Sequence, residues 1–287
     1  MKGHKKFLAL SHVVLIIVAI CSIVPFWLLL AASFTDEAYA IKNGYAFWPK
    51  ELSLAAYEYL MSQWQMFGRG YAITIIVTVI GVILCLTVTM SFGYMISREG
   101  LPGGKIFNYM VIFTMLFNGG LVATYINYTQ NFHIKDTLFA LIIPNLVTNA
   151  FYIFMTKNFF KGNIPEEIIE AARIDGCSEI GIFFQIVLKL SKPMVATLAL
   201  LSGVMYWNDW QNGMYYLDDV NMFGIQNILN AINTNAQYLR MLGRGADMPT
   251  ETVRMAAAAI GILPILLIYP FFQEYFVKGM TMGGVKE

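Results

Sequence analysis

Long apolar runs alternate along this chain with shorter polar stretches, and those runs set the first expectation. Six of them, residues 7–32, 71–96, 106–126, 138–155, 194–211 and 255–272, hold no Asp, Glu, Lys or Arg in their interiors. An apolar helix of ~20 residues crosses ~30 Å of hydrocarbon, so the pattern predicts six transmembrane helices. The fifth, "MVATLALLSGVMYWNDWQ", is the least apolar and is interrupted at Ser202-Gly203. Such interruptions mark midplane pathways in some transporters. Two long segments separate the runs, 33–70 and 209–253, and a polar stretch at 161–192 lies between the fourth and fifth.

Charge orients the array. With both termini inside, twelve Lys and Arg fall in inner segments, among them Lys5, Lys6, Arg98, Lys105, Arg173 and Lys192. Seven fall in the longer outer segments: Lys42, Lys50, Arg69, Lys135, Arg240, Arg244 and Arg254. That asymmetry follows the positive-inside rule, and an odd number of spans would destroy it. The start "MKGHKKF" runs into an apolar stretch too long for a signal-peptide core, so a retained first helix is expected. Composition agrees: of 287 residues 57% are hydrophobic and 13% charged, against about 25% charged in soluble domains. The net charge of +1 argues neither for nor against a nucleic-acid partner, and none is expected. Cys21, Cys85 and Cys177 are widely spaced and form no disulfide framework or metal cluster.

The stretch "EEIIEAARIDGCSEIGIFFQIVLKLSKP", Glu166–Pro193, is too polar to span and predicts a hairpin of two short helices. Asn163 is placed to cap the first, with Glu166 three residues on as in a capping box and Pro165 in the first turn. Ile164, Ile168, Ile169 and Ala172 then share one face, and Glu166, Glu170 and Arg173 another. Asp175-Gly176 supplies a left-handed stop and Ser178 a second cap. Ile180, Phe183, Phe184, Val187 and Leu188 recur at helical spacing up to Pro193. An interfacial helix without a partner is the plainer alternative.

"EAARIDG" followed by "IVLKLSKP" resembles the EAA loop of permease subunits in binding-protein-dependent ABC importers of the maltose type. "FNGGLVATYI", "IKDTLFALIIPN", "YWNDW" and "FVKGMTMGGVKE" are similar to the branch linked with oligosaccharides and polysaccharide fragments. The resemblance implies an all-α membrane protein, a type I importer permease filling residues 1–287. It implies coupling to a cytoplasmic ATPase dimer through Glu166, Glu167, Glu170, Ala171, Ala172, Asp175 and Gly176, with Glu170 meeting a basic group and Gly176 making the elbow. It also implies a second homologous permease subunit, an external solute-binding protein, a bacterial cytoplasmic membrane, and a tail whose Gly279, Gly283 and Gly284 probe the ATPase. ATP and Mg would belong to that partner, with no cofactor in this chain. Leu188-Lys189 departs from the family's usual Leu-Pro.

The residues themselves exclude other classes. No G-x-x-x-x-G-K-[ST] is present, since Gly104-Lys105 is followed by Ile106 without the upstream Gly, so the chain cannot cradle ATP phosphates. No H-E-x-x-H, G-x-S-x-G or paired intramembrane aspartates occur, and His4, His12 and His133 are scattered. An ion-coupled carrier keeps ionisable groups within its spans, and these spans lack them; a non-transporting scaffold leaves the hairpin unexplained. Amides and indoles suit the hydroxyls and C–H faces of a sugar, which makes Asn145, Asn149, Trp207, Asn208 and Trp210 the candidate pathway groups. Helix–helix hydrogen bonding is their plainer role. In the outer segment a helix is expected over Ile225–Leu242; Asn233, Asn235, Gln237 and Tyr238 on it are the candidate contacts to the binding protein.

Overall fold

In the computed structural model residues 2–241 and 250–282 are described, and nearly all regular structure among them is helical. The helices are α1 (Lys2–Ser33), α2 (Glu37–Asn43), α3 (Ala55–Ser62), α4 (Trp64–Ser97), α5 (Gly104–Leu116), α6 (Gly120–Ile126), α7 (Leu138–Ile142), α8 (Ala150–Asn163), α9 (Glu166–Ile174), α10 (Glu179–Ile182), α11 (Leu188–Leu190), α12 (Lys192–Trp207), α13 (Gln211–Tyr216), α14 (Ile225–Met241) and α15 (Thr250–Met282). A π-helical turn, Asn127–Asn131, continues α6, and another, Phe183–Val187, joins α10 to α11. The residues cluster into two units, Met1–Gly68 with Ile228–Pro264, and Arg69–Asn227 with Ile265–Glu287.

Among the described residues α1 and α4 carry apolar stretches long enough to cross a membrane, Leu10–Ser33 and Trp64–Ser97. Two further stretches pass only as bent pairs, Gly104–Leu116 with Gly120–Asn131 at 115°, and Glu179–Leu190 with Lys192–Trp207 at 82°. The run at 106–126 is therefore no single helix. At "FNGG" Phe117 turns extended, Gly120 takes φ +79°, and Asn118 Oδ1 accepts the Gly120 N–H at 2.8 Å. The run at 138–155 also breaks: α7 stops at Ile142 and α8 starts at Ala150. Pro144 has no N–H with which to continue the helical ladder, and Asn145 adopts φ +62°. By contrast Ser202-Gly203 interrupts nothing. Ser202 Oγ donates back to Leu198 O at 2.6 Å inside α12, and a Cβ at Gly203 would make only ordinary contact with Val82, at 3.8 Å. The breaks of the fifth run fall at Ser191 and after Trp207 instead.

In the first unit the carboxylate of Glu37 caps a helix 214 residues away in sequence. It accepts from Glu251 N at 3.0 Å, Thr252 N at 2.8 Å and Thr252 Oγ1 at 2.7 Å, so the free N–H groups opening α15 are satisfied from α2. Trp27 on α1 donates its indole N–H to Phe47 O at 2.8 Å and meets Trp48 edge-on.

The second unit is organised around α4. Its glycines admit neighbours closely: a Cβ on Gly81 would lie 2.4 Å from the ring of Tyr206 in α12, and one on Gly93 would lie 2.7 Å from Thr156 in α8. Tyr206 is buried and its hydroxyl donates to Ile142 O at 2.9 Å, closing the end of α7. Outside these helices Asp136, at φ +52°, accepts the N–H of Asp218 at 2.6 Å and of Asp219 at 3.1 Å. Those two backbone donors hold its carboxyl below the usual carboxylate range, and the neighbouring Lys135 pairs with Asp218 at 2.7 Å.

Gly81→Ala forces its methyl into the Tyr206 ring, which is fixed at both ends. Overpacking of this kind costs ~1–3 kcal/mol. The expected outcome is a melting temperature several degrees lower in mild detergent, with Gly162→Ala, which meets nothing within 4 Å, unchanged.

Candidate functional site

The polar stretch at 161–192 folds as the expected hairpin, with one end different. Asn163 caps nothing: α8 runs on through it, and its side chain donates back to Phe159 O at 2.9 Å. The N-cap position of α9 belongs to Pro165, so no capping box forms with Glu166. Continued burial of the α8 face, with Thr156 and Phe160 fully enclosed, carries that helix beyond its apolar run. α9 then ends in a Schellman turn. Cys177 N donates to Ala172 O at 2.9 Å and Gly176 N to Arg173 O at 3.0 Å, with Gly176 at φ +81°. Ser178 restarts the chain by accepting Gly181 N at 3.1 Å.

The hairpin has a rooted side and a free side. Ile164, Ile169 and Ala172 are buried with Ile182, Phe183 and Val187, while Ile168 is largely exposed. Ile180 and Phe184, expected on the buried face, are exposed at 72% and 59%. The π-helical turn explains this: Leu188 N donates to Phe183 O, five residues back, and the wider turn rotates the apolar stripe away from α-helical spacing. On the free side Glu167, Glu170, Ala171, Asp175 and Gly176 are all exposed. Beside them stands Ile174, 87% exposed at the elbow.

A closed ring of side chains fastens the hairpin to the end of α4. Arg98, just beyond that helix, donates to Glu166 at 2.8 Å; Glu166 lies 3.9 Å from Arg173; and Arg173 donates to Glu179 at 2.6 Å. Tyr94 donates to Glu179 at 3.5 Å, and the Arg98 guanidinium sits 4.9 Å from the Tyr94 ring centre, closing the circuit. The ring borders a cleft of about 570 Å³ lined also by Met95, Phe183 and Phe184. The Arg173 hydrogen bond holds the Glu179 carboxyl below the usual range, burial opposing it only in part. Sequence reasoning placed Arg98 merely among the inner charges and missed Tyr94, because no local spacing links them to partners 68 and 85 positions on.

The candidate pathway amides and indoles are engaged in different ways. Asn149 Oδ1 caps α8 by accepting from Phe151 N at 3.0 Å and Tyr152 N at 3.3 Å. Asn208 Nδ2 donates to Val204 O at 2.9 Å, and its Oδ1 accepts from Gln226 at 3.4 Å. Asn145 and Trp210 are exposed, whereas Trp207 is buried and lies against Tyr71. Asn212, not singled out from sequence, is buried and donates to Pro144 O at 3.0 Å. Asn233 falls on α14, as do Asn235, Gln237 and Tyr238; the side chains of the last three lie outside the described residues. Gly279 falls on α15, and Gly283 and Gly284 lie outside the described residues.

Apolar helices, two of them among the described residues long enough to cross a membrane, place the chain in the class of membrane proteins, and the fastened hairpin exposes an acidic edge. The chain belongs to the family of binding-protein-dependent transport system inner membrane components, whose pattern it matches over residues 104–282. It is 35% identical over 287 residues to the polygalacturonan/rhamnogalacturonan transport system permease protein YtcP of Bacillus subtilis, covering 99% of both chains. It is 29% identical to the arabinooligosaccharides transport system permease protein AraQ of Halalkalibacterium halodurans, covering 94% of this chain and 93% of that one. Among solved structures it resembles a chain of a bacterial ABC transporter involved in the import of the acidic polysaccharide alginate. The TM-score is 0.82 at 28% identity, over 96% of this chain and 98% of that one. It is thus the permease component of an importer, and the ATP-hydrolysing subunit is a separate polypeptide.

A carboxylate whose folded pKa is depressed stabilises the fold above its unfolded pKa, here about 4.3 for Glu, and loses that contribution as pH falls through the folded value. The Glu179 ring is therefore expected to stay closed from neutral pH down to the unfolded carboxylate range and to open below it. Carboxyl-13C titration of the labelled protein checks this, and Arg173→Ala should return the Glu179 resonance to an ordinary glutamate midpoint.

Proposed function

We propose that this chain is one of two related permease subunits of an ATP-driven importer in a bacterial cytoplasmic membrane, moving an oligosaccharide released from a polysaccharide. Six spans form a single permease domain with both termini in the cytoplasm. A loaded solute-binding protein docks on the outer segments, and the hairpin passes the closure of a cytoplasmic ATPase dimer, which binds ATP and Mg, to the spans. The observation carrying this reading is the hairpin itself: its acidic edge, Glu167 and Glu170, and its apolar tips, Ile174, Ile180 and Phe184, stand exposed while its other face is rooted in the core. A buried apolar patch rimmed by charge is the anatomy of a protein interface. The relatives named above support a carbohydrate cargo.

On this reading Glu170 pairs with a basic group of the ATPase, Ala171 permits close approach, and Asp175-Gly176 fixes the elbow. Glu166 and Ala172 hold the hairpin from behind. Asn145, Asn208 and Trp210 border the pathway, with Asn149 and Trp207 supporting its wall. Asn233, Asn235, Gln237 and Tyr238 meet the binding protein through α14.

Purification of the tagged chain from its native membrane in mild detergent tests the proposal. The wild-type chain should bring down an ATPase and a second permease. Glu170→Arg should keep the second permease and lose the ATPase, with uptake reduced at least tenfold. Undiminished recovery of the ATPase by Glu170→Arg would overturn the hairpin assignment.

A further inference from the structure

Between Arg69 and Asn227 most of the helical chain is broken, at Phe117–Gly119, at Ile143–Asn149, at Ser191 and after Trp207. α4 is unbroken from Trp64 to Ser97, and it is fastened just beyond its last residue and again at Thr74, in its first third. Arg98 ties one end to the hairpin through Glu166 at 2.8 Å, with the Arg98 side chain only 10% exposed. Near the other end Thr74, itself buried, accepts the N–H of Ile225 on its hydroxyl at 2.8 Å. Ile225 is fully buried and is the first residue of α14, the helix of the second long outer segment. From Thr74 to Ser97 is ~35 Å at 1.5 Å per residue.

The intervening contacts leave little room for slip. Gly93 seats Thr156 of α8, Gly81 seats Tyr206 of α12, and a Cβ on Gly224 would lie 2.9 Å from Thr74 Oγ1. Close-packed interfaces of this kind move between discrete arrangements and do not deform smoothly. A displacement of the hairpin thus reaches α4 through a short ion pair, travels along one continuous backbone, and arrives at the N–H that opens α14.

We infer that α4 is the rigid link joining the ATPase-facing hairpin to the start of the external helix α14, with Arg98 and Thr74 as its two fastening, or positioning, residues. The inference rests on the hairpin reading above and adds a direction to it: occupancy of the outer face is read at the ATPase through this one helix. Linkage requires the reverse as well, so hairpin state alters the outer face by the same factor in binding.

The test uses the intact importer in nanodiscs, reading the stimulation of ATP hydrolysis by substrate-loaded binding protein relative to hydrolysis without it. Thr74→Val removes the acceptor at constant shape and should cut stimulation about fivefold, the factor one lost neutral hydrogen bond represents at 25 °C, with unstimulated hydrolysis unchanged. Thr74→Ser, which keeps the hydroxyl, should restore it. Arg98→Gln should lower stimulation, and the swap Arg98→Glu with Glu166→Arg should recover part of it. If one link carries the coupling, Thr74→Val with Arg98→Gln falls no lower than the worse single variant. Stimulation untouched by Thr74→Val, or single effects that multiply in the double, overturns the inference. Should Thr74→Val fail to assemble, Gly224→Ala, which presses a methyl on the same hydroxyl, is read by the same criteria. Loss of the ATPase in Glu170→Arg with no change in Thr74→Val removes the link alone; retention of the ATPase in Glu170→Arg removes the hairpin reading beneath it.

Discussion

Every backbone N–H and C=O that leaves a helix within hydrocarbon needs another partner, because no water is there to supply one. This protein interrupts its apolar runs repeatedly, so its architecture depends on how those interruptions are closed. Asn118 answers Gly120 N after α5, and Asn149 answers two N–H groups at the start of α8. The Tyr206 hydroxyl reaches Ile142 O and the Asn212 amide reaches Pro144 O across the break between α7 and α8. Asn227 Nδ2 donates to Trp210 O at 2.7 Å where α12 has given way to α13. Neutral amides and hydroxyls do this without the cost of burying a charge.

The same constraint divides what was legible in the sequence from what was not. α1 and α4 are uniform apolar runs whose own backbones satisfy themselves, and hydropathy locates both to within a few residues at their C-terminal ends. The runs at 106–126 and 138–155 are equally apolar, so an averaged hydropathy passes over "FNGG" and "IIPN", although Gly-Gly and Pro-Asn are strong local punctuators. Ser202-Gly203 misleads in the opposite sense, because a Ser that bonds back to i−4 and a single Gly are both compatible with helix. Polar residues expected along a pathway turn out, in Asn149 and Asn208, to be occupied with backbone groups. A single sequence cannot separate these uses, since both need an amide at the same place.

At the hairpin the legible part is local. The Asp175-Gly176 stop and the Ser178 cap depend on neighbours within five residues, and the chain folds there as its sequence predicts. What was illegible acts at longer range or through a subtle change of pitch. Asn163 is claimed by α8 because that helix has more to bury, and one π-helical turn exchanges Ile180 and Phe184 for Ile182 on the rooted face. Lys189 leaves α11 helical to Leu190, and the chain bends at Ser191, just before Lys192 and Pro193 open α12.

Why fasten such a hairpin with charges at all? Exposed ion pairs contribute ~0–1 kcal/mol each, and Glu166, Arg173 and Glu179 are all about half exposed. As a contribution to stability the ring is therefore minor. Its value is geometric: two carboxylates and two guanidinium groups with a tyrosine tie α4, α9 and α10 at fixed separations, and the planar guanidinium of Arg98 fixes an angle as well as a distance. The apolar root formed by Ile169, Ile182 and Val187 supplies the burial that holds the hairpin down, but hydrophobic contact is non-directional and would let it swivel. Root and ring together make a rigid body whose acidic edge keeps one orientation relative to α4, and only a body that cannot swivel passes a partner's displacement on to the helices behind it.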